Sequence, residues 1–350
     1  MTSRERVQAV LRGNVPDRPP FFDLLRNNAV IEYYSGLSLT EDPVKAVYAA
    51  VRNVLDSTRS IRLPDQPGEE YLEDGRMVVR RQWTVWTVHE SRPTVTEAEE
   101  DLKTLIHNLE THLANDAGIQ SDVDTLRSSI EQHLSHLGPD FAYFTPAWGV
   151  GMMLYTRYGL ETFSYLLTDA SDLITRYLRL TTDLSLRRIA QLSISDLVVG
   201  VFIGDDIAYK GTTIFSPEHL RREFFPRLES LIDAYHSCGL PVIFHSDGNL
   251  MSILSDLVAC GIDLLNPIEV AAGMDPIEIR RHHPHLILVG GIDVSELLPF
   301  GTPDQVAEAT LALIQAAGPG VLIGSSTELH NDVPLANFQA MVETVRRYRY

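Results

Sequence analysis

Short apolar runs alternate with helical segments through the second half of the chain, and this alternation constrains the fold more than any other feature. In the clearest example, an apolar run from Leu240 to Phe244 stops at His245, and Gly248 then turns the chain. A short continuous apolar run bounded by turn residues is typical of a strand buried on both faces of a parallel sheet. Four further runs of this kind begin at Leu197, Ile262, His285 and Val321.

Helical spacing follows each of these five runs. Helices are predicted over residues 217–238, 250–259, 276–282, 303–316 and 334–347. Five strand–helix units in series require a parallel sheet with right-handed crossovers. Strands near Phe21 and Tyr143, with one more between them, would bring the total to about eight. We therefore expect one α/β domain over residues 1–350, a (β/α)8 TIM barrel, with a doubly wound open sheet as the alternative.

The first half of the chain is mostly helical, with one segment of different character. Apolar spacing predicts helices over residues 4–11, capped by Ser3, and over 43–55 and 97–137. It also predicts two helices within 158–194, divided near Asp169 or Ser171. Residues of about 60–95 instead alternate between polar and apolar, and Asp74-Gly75 is a hairpin turn signal. We expect a β-hairpin insertion or lid there, rather than a second domain.

The charge of the chain makes nucleic acids and anionic membranes poor partners. With 29 Lys and Arg against 47 Asp and Glu, the formal net charge is −18, and such a field repels polyanions. No apolar stretch approaches the roughly 20 residues of a membrane span. Cys238 and Cys260 form no CxxC pair, and the polar N-terminus does not resemble a signal peptide. We expect a cytoplasmic protein with a small-molecule substrate, and the sequence leaves a homodimer open.

Polar residues recur where the predicted strands end, which is where (β/α)8 barrels carry their active sites. The predicted catalytic residues are Asp23, Asp205, Asp206, His245 and Asp247. The predicted substrate-binding residues are Arg26, Trp148, Tyr209, Lys210, Asn266, Glu269 and Asp293. The candidate metal ligands are His245, Asp247 and Glu328. Asp293 and Ser325 could instead serve only as N-caps of the helices that follow them.

His245 and Asp247 offer the most specific chemistry in this set. Because they are two positions apart at a strand end, their side chains can point to the same face. Imidazole and carboxylate together suit zinc, iron or manganese, and Glu328 or His330 could complete the ligand set. The same groups could equally act as general acid, general base and hydrogen-bonding partners of a substrate.

Several ordered segments resemble the uroporphyrinogen decarboxylase superfamily. They lie at residues 4–13, 16–20, 215–220, 245–249, 290–293 and 332–338. The resemblance spans nearly the whole chain and implies a (β/α)8 barrel. That superfamily includes uroporphyrinogen decarboxylases, which need no cofactor. It also includes zinc-dependent methyltransferases, which move methyl groups between corrinoid proteins and thiol or folate acceptors.

The sequence departs from both groups at their motifs. The decarboxylases carry an N-terminal Arg-Gln-Ala-Gly-Arg segment that grips substrate carboxylates, whereas Arg26 is the only cation in the corresponding stretch here. The methyltransferases use His-x-Cys and a later Cys as zinc ligands. His245 matches that motif, but Asp247 stands at the first Cys position, and Ser326-Thr327 stands in the region of the second.

Three functions follow as hypotheses. The retained His245 favours methyl transfer between a small molecule and a corrinoid carried by a partner protein, with zinc or another divalent metal at the site. The alternative is a cofactor-free decarboxylase, in which Asp23 or Asp205 would stabilise a protonated intermediate. Arg26 or Lys210 would then hold a substrate carboxylate. The third hypothesis is a non-catalytic, ligand-binding barrel.

Overall fold

Strands and helices alternate along most of the chain. The computed structural model describes residues 1–71, 76–89 and 92–350. Its strands are β1 (Leu25–Arg26), β2 (Ser57–Thr58), β3 (Gly68–Tyr71), β4 (Arg76–Arg80), β5 (Val85–His89), β6 (Ala142–Pro146), β7 (Gly200–Gly204), β8 (Val242–His245), β9 (Leu264–Asn266), β10 (Ile287–Ile292), β11 (Val321–Ser325) and β12 (Leu329–His330). Its α-helices are α1 (Ser3–Leu11), α2 (Asn28–Ser35), α3 (Pro43–Val54), α4 (Val95–Leu113), α5 (Asp116–Leu137), α6 (Tyr155–Tyr158), α7 (Leu160–Asp169), α8 (Ser171–Ile189), α9 (Pro217–Glu223), α10 (Phe225–Ser237), α11 (Leu254–Ala259), α12 (Pro276–His282), α13 (Leu297–Phe300), α14 (Pro303–Ala317) and α15 (Leu335–Arg347).

Eight parallel strand segments, the staves of the barrel, close into a ring. The main sheet runs in the order β11-β10-β9-β8-β7-β6-β2, and its pairs are parallel. The segment Phe21-Phe22 closes the ring, since Phe21 bridges to Ile323 of β11 and Phe22 bridges to Ser57 of β2. Neighbouring staves are thus consecutive in sequence, which is the (β/α)8 topology. The predicted TIM barrel is confirmed, and the open, doubly wound sheet is excluded.

Helix α1 lies at the amino-terminal end of the barrel. The backbone N–H of Arg4 donates to the carbonyl of Asp140 at 2.7 Å, just before β6. Its guanidinium donates to the carbonyl of Leu197 at 2.8 Å, ahead of β7. Val7 and Val10 of α1 share one apolar cluster with inward residues of the strands, namely Phe22, Leu24, Ala142, Phe144, Val199, Phe202, Ile243, Leu264, Ile287, Val289 and Leu322. Helix α1 thus packs against the interior side chains at this end, opposite the carboxyl ends of the strands.

An antiparallel sheet of three strands is inserted between β2 and α4. Its order is β3-β4-β5, and β4 with β5 forms a hairpin inside the predicted segment of about 60–95. Strand β3 escaped prediction because Gly-Glu-Glu-Tyr shows no apolar alternation. The predicted Asp74-Gly75 turn lies outside the described residues. Trp83 anchors the sheet near the barrel mouth, since its Nε1 donates to Oδ1 of Asn28 at 2.8 Å. A lid function for this sheet stays a prediction.

Three helix predictions differ from the structure in detail. The stretch predicted over 97–137 is divided into α4 and α5. Thr2, not Ser3, caps α1: the Thr2 hydroxyl accepts from the backbone of Glu5, whose carboxylate accepts from the backbone of Thr2. This reciprocal pair is a capping box. The helix predicted over 217–238 divides at Phe224 into α9 and α10, because Pro226 has no N–H to continue the hydrogen-bond ladder.

The described helices include none with the length and apolar character needed to cross a membrane. Cys238 and Cys260 are both free thiols, as expected without a CxxC pair. Burial raises the pKa of the Cys260 thiol to about 12, so this cysteine stays protonated near neutral pH.

Candidate metal centre

Three polar side chains meet at the carboxyl ends of β7 and β8. His245 ends β8, Asp206 follows β7, and Asp247 lies two residues beyond His245. The Nε2 atom of His245 is 3.8 Å from Oδ1 of Asp206 and 3.8 Å from Oδ1 of Asp247. One ligand atom from each residue lies within 4.8 Å of the other two. The parallel register, with Gly204 opposite His245, brings these two strand ends side by side.

A hydrogen bond to Asn266 sets the orientation of the His245 ring. Nδ2 of Asn266 donates to the carbonyl of Val289 at 3.3 Å, so Oδ1 of Asn266 faces the ring and lies 2.8 Å from Nδ1. Nδ1 therefore carries the proton, and the lone pair of Nε2 points toward the two carboxylates. Burial, followed by the charge of Arg59, lowers the pKa of His245. The ring is neutral at neutral pH, as a metal ligand must be.

One carboxylate oxygen of Asp247 has no hydrogen-bond donor among the described residues. This oxygen, Oδ1, is buried. Burial, then the charges of Asp206 and Glu269, raises the pKa of Asp247 to about 6. The backbone N–H of Asp247 donates to Oδ1 of Asp206 at 3.1 Å, which holds the two carboxylates together despite their repulsion. Either a proton or a cation would relieve this crowding of negative charge.

The geometry and chemistry of the three side chains fit a divalent cation. Two atoms that each bind a tetrahedral ion at about 2.1 Å are about 3.4 Å apart. The observed 3.8 Å separations need only a small contraction to reach that value. The unpartnered Oδ1 of Asp247 would gain its partner in the same step. One imidazole and two carboxylates suit zinc, iron or manganese.

Glu328 does not join this cluster, contrary to the sequence prediction. Its carboxylate pairs with Nη1 of Arg26 at 2.6 Å. The parallel pairing of β1 with β12 extends the barrel rim and places these two residues together there. Arg26, predicted to bind substrate, is thus engaged within the protein. Asp206, predicted only as a catalytic residue, is the third member of the cluster.

Asp23 and Asp205 are internal hydrogen-bond acceptors, and the catalytic role predicted for them stays a prediction. Asp205 accepts from the backbone N–H groups of Val150 at 3.1 Å and Met152 at 2.8 Å, which orders the loop after β6. Asp23 accepts from the backbone and the hydroxyl of Ser325 at 3.0 and 2.7 Å. Burial raises the pKa of each carboxyl to about 6. Both join adjacent strand ends and position the rim.

Two predicted substrate-binding residues lie away from the cluster. The carboxylate of Asp293 accepts from three successive backbone N–H groups, those of Ser295, Glu296 and Leu297. It therefore caps the turn after β10, which is the simpler role that its position allowed. Trp148 packs against Arg188, whose guanidinium carbon is 5.4 Å from the indole ring. That contact lies in a groove beside α5 rather than at the cluster.

The remaining predicted residues surround the cluster. Asn266 orients the ring of His245. Glu269 accepts from the backbone N–H of Gly248 at 2.8 Å. The side chains of Tyr209 and Lys210 are exposed. The backbone carbonyl of Tyr209 accepts from the N–H of Asn249 at 2.9 Å, which ties the loop after β7 to the loop after β8.

Gly248 is expected to be essential for the shape of this site. It adopts φ +95°, and a Cβ there would lie 2.5 Å from the backbone nitrogen of Tyr209. We expect Gly248→Ala to cost about 1–3 kcal/mol of unfolding free energy and to displace Asp247, weakening metal binding. Urea unfolding and zinc titration would measure both effects.

Gly239→Ala is the matched control, since Gly239 has φ +73° but open space around it. Equal losses in the two variants would contradict a steric role for Gly248.

Sequence reasoning missed two residues that face the cluster. Arg59 follows β2, and its guanidinium carbon lies 4.0 Å from the centre of the Phe202 ring. That ring is in turn 5.1 Å from the ring of His245. The hydroxyl of Tyr155 donates to the backbone carbonyl of Asp206 at 3.0 Å. Burial, then the charge of Asp206, raises the pKa of Tyr155 to about 12. Strand β2 has only two residues, so no apolar run marked the position of Arg59.

The fold and the site together define a class of protein. It is a closed (β/α)8 barrel whose open end carries one imidazole and two carboxylates that suit a metal ion. Within that class, the uroporphyrinogen decarboxylase (URO-D) family model matches residues 113–348, and the chain belongs to that family. The superfamily resemblance drawn from the motifs is confirmed.

Similar proteins include two that are named Methylcobamide:CoM methyltransferase MtbA. The one from Methanosarcina acetivorans is 27% identical over 140 residues. The one from Methanosarcina mazei is 28% identical over 134 residues. Each match covers 38% of this chain and only 38% of the relative. A solved methyltransferase from Methanosarcina mazei shares the fold, with a TM-score of 0.69 over 99% of this chain and 98% of that chain at 17% identity.

Proposed function

We propose that this protein is a metal-dependent methyltransferase that moves a methyl group between a small molecule and a corrinoid carrier. The observation that carries the proposal is the convergence of Nε2 of His245 with the carboxylates of Asp206 and Asp247 at the open end of the barrel. The names of the two methanosarcinal relatives support a corrinoid as the methyl carrier. Asp247 stands where the methyltransferases that the sequence resembles have a cysteine, so we infer a site richer in oxygen ligands.

Methyl transfer of this kind needs a strong nucleophile on the acceptor. The methyl carbon leaves its donor without the bonding electrons, the acceptor atom supplies the electron pair of the new bond, and the acceptor releases its proton. A divalent cation at the site would lower the pKa of the acceptor atom bound to it. The chain itself supplies fixed geometry: Asn266 orients His245, and the backbone of Asp247 orients Asp206.

A cofactor-free decarboxylase has weaker support. It would need Asp23 or Asp205 to face the substrate, and both carboxyls are buried and accept internal hydrogen bonds. It would also need Arg26 to hold a substrate carboxylate, and Arg26 is paired with Glu328. Release of carbon dioxide from a porphyrinogen by metal-free protein would favour the decarboxylase over methyl transfer.

Removal of the metal is expected to abolish methyl transfer. The purified protein would be treated with a chelator, loaded separately with zinc, manganese(II) or iron(II), and assayed with methylcobalamin as donor and a small thiol as acceptor. Loss of the methyl–cobalt absorbance reports the transfer. We expect the chelated protein to be slower by at least about 100-fold, because the acceptor then keeps its proton, and one equivalent of metal to restore the rate. Equal rates with and without bound metal would contradict the proposal.

A further inference from the structure

Arg59 is a largely buried cation beside the proposed metal centre. Across residues 1–71, 76–89 and 92–350, its guanidinium makes no hydrogen bond or ion pair, and its Nε atom is buried. An unpaired buried charge is costly, so buried arginines normally pair with an acid. Arg59 therefore differs from Arg26 and Arg62, which are paired with acids.

The packing of Arg59 fixes the plane of the guanidinium and leaves its edge free. The group stacks on the ring of Phe202, with the guanidinium carbon 4.0 Å from the ring centre. The same ring is 5.1 Å from that of His245. A stacked guanidinium presents its N–H donors in the plane, where they match the two oxygens of a carboxylate or phosphate. This edge lies close to the metal ligands because one phenyl ring contacts both groups.

The neighbouring arginines at the mouth are paired with acids. Arg26 pairs with Glu328, and Arg62 pairs with Asp65. A divalent cation would balance the two carboxylates of the metal centre. Burial, then the charge of Arg26, lowers the pKa of Arg59 to about 10, so the guanidinium remains charged at neutral pH. Of the three arginines Arg26, Arg59 and Arg62, Arg59 is the one without an ion pair among the described residues.

We propose that Arg59 binds an anionic oxygen group, a carboxylate or a phosphate, at one end of the small-molecule substrate. The other end of that molecule would face the metal centre, so the substrate is a small molecule with an acidic group and not a neutral one. This assignment rests on the proposed function for the reaction, but Arg59 as an anion site can be tested without any methyl transfer.

The test measures anion binding to the metal-loaded and the chelated protein by calorimetry. The probes are propionate, inorganic phosphate and neutral propionamide, and zinc content is determined on the same samples. Arg59→Met removes the charge but keeps an unbranched chain against Phe202. Arg59→Lys keeps the charge without the planar fork, and Arg179→Met alters an exposed arginine. Circular dichroism establishes that each variant is folded.

We expect one of the two anions to bind the wild-type protein and Arg179→Met equally. Arg59→Met should weaken that binding by about 10- to 100-fold, with Arg59→Lys between them and propionamide not bound. The tighter anion identifies the acidic group. Unchanged anion binding in folded Arg59→Met, or no anion binding to the wild-type protein, would overturn the assignment. Zinc content reports separately on the metal centre, so a protein that binds anions through Arg59 but holds no zinc would refute only the proposed function.

Discussion

Replacement of His245 with alanine is expected to lower metal affinity and the rate of methyl transfer by at least about 100-fold. His245 supplies the nitrogen ligand of the proposed centre, and its Nε2 is 3.8 Å from each of the two carboxylates. Loss of residues that only orient a ligand typically costs 10- to 100-fold in metal affinity, so loss of the ligand itself should reach at least the upper end. Zinc titration against a competing chelator and initial rates with methylcobalamin would measure the two effects.

Two further variants make this prediction specific. Asn266→Ala removes the acceptor that holds Nδ1 of His245 at 2.8 Å, so we expect a smaller loss of metal affinity, about 10-fold or more. His282→Ala alters an exposed histidine at the end of α12 and should leave metal affinity and rate unchanged. Wild-type metal affinity in folded His245→Ala would show that the cluster is not a metal centre, and wild-type rates would show that it takes no part in methyl transfer.

The barrel was predictable because most of its strands carry their own signal. The apolar runs that become β8 and β10 are continuous and buried on both faces, a pattern that arises from the local sequence alone. Strand β2 carries no such signal. It has two residues, and its pairing comes from β6 and from Phe22 in the closing stave. Those contacts are distant in sequence, so the position of the strand, and of Arg59 after it, depends on barrel closure.

The candidate site was predictable only where its residues are close in sequence. His245 and Asp247 share one strand end, so their proximity follows from strand geometry. The sequence predicts Glu328 as the third ligand because this residue follows the last barrel strand. Pairing of β1 with β12 carries it toward Arg26 instead. Asp23 and Asp205 have the residue type of catalytic acids, and the internal hydrogen bonds that they accept depend on the folded chain rather than on the local sequence.

One buried ionic network connects the barrel closure to the proposed anion site. Asp56, 2% exposed, immediately precedes β2. Its carboxylate accepts from Arg6 at 2.7 Å, from Arg18 at 2.7 Å and from the backbone N–H of Phe21 at 2.8 Å. A single side chain thus holds α1, the first stave and β2 together. Arg59 lies three residues further along, so the same anchor holds the strand that leads to it.

Asp56→Ala is expected to lower the free energy of unfolding by about 3–5 kcal/mol, because Arg18 loses its buried acidic partner and Arg6 keeps only its pair with Asp17. The backbone N–H of Phe21 would lose its acceptor in the same step. Glu343→Ala breaks the exposed i,i+4 pair with Arg347 and should cost no more than about 0.5 kcal/mol. Urea unfolding of the three proteins measures the difference. A loss in Asp56→Ala as small as that in Glu343→Ala would mean that closure of the barrel does not depend on this network.

If the network does anchor β2, the Asp56→Ala variant should also bind propionate or phosphate more weakly, because Arg59 would lose its fixed position.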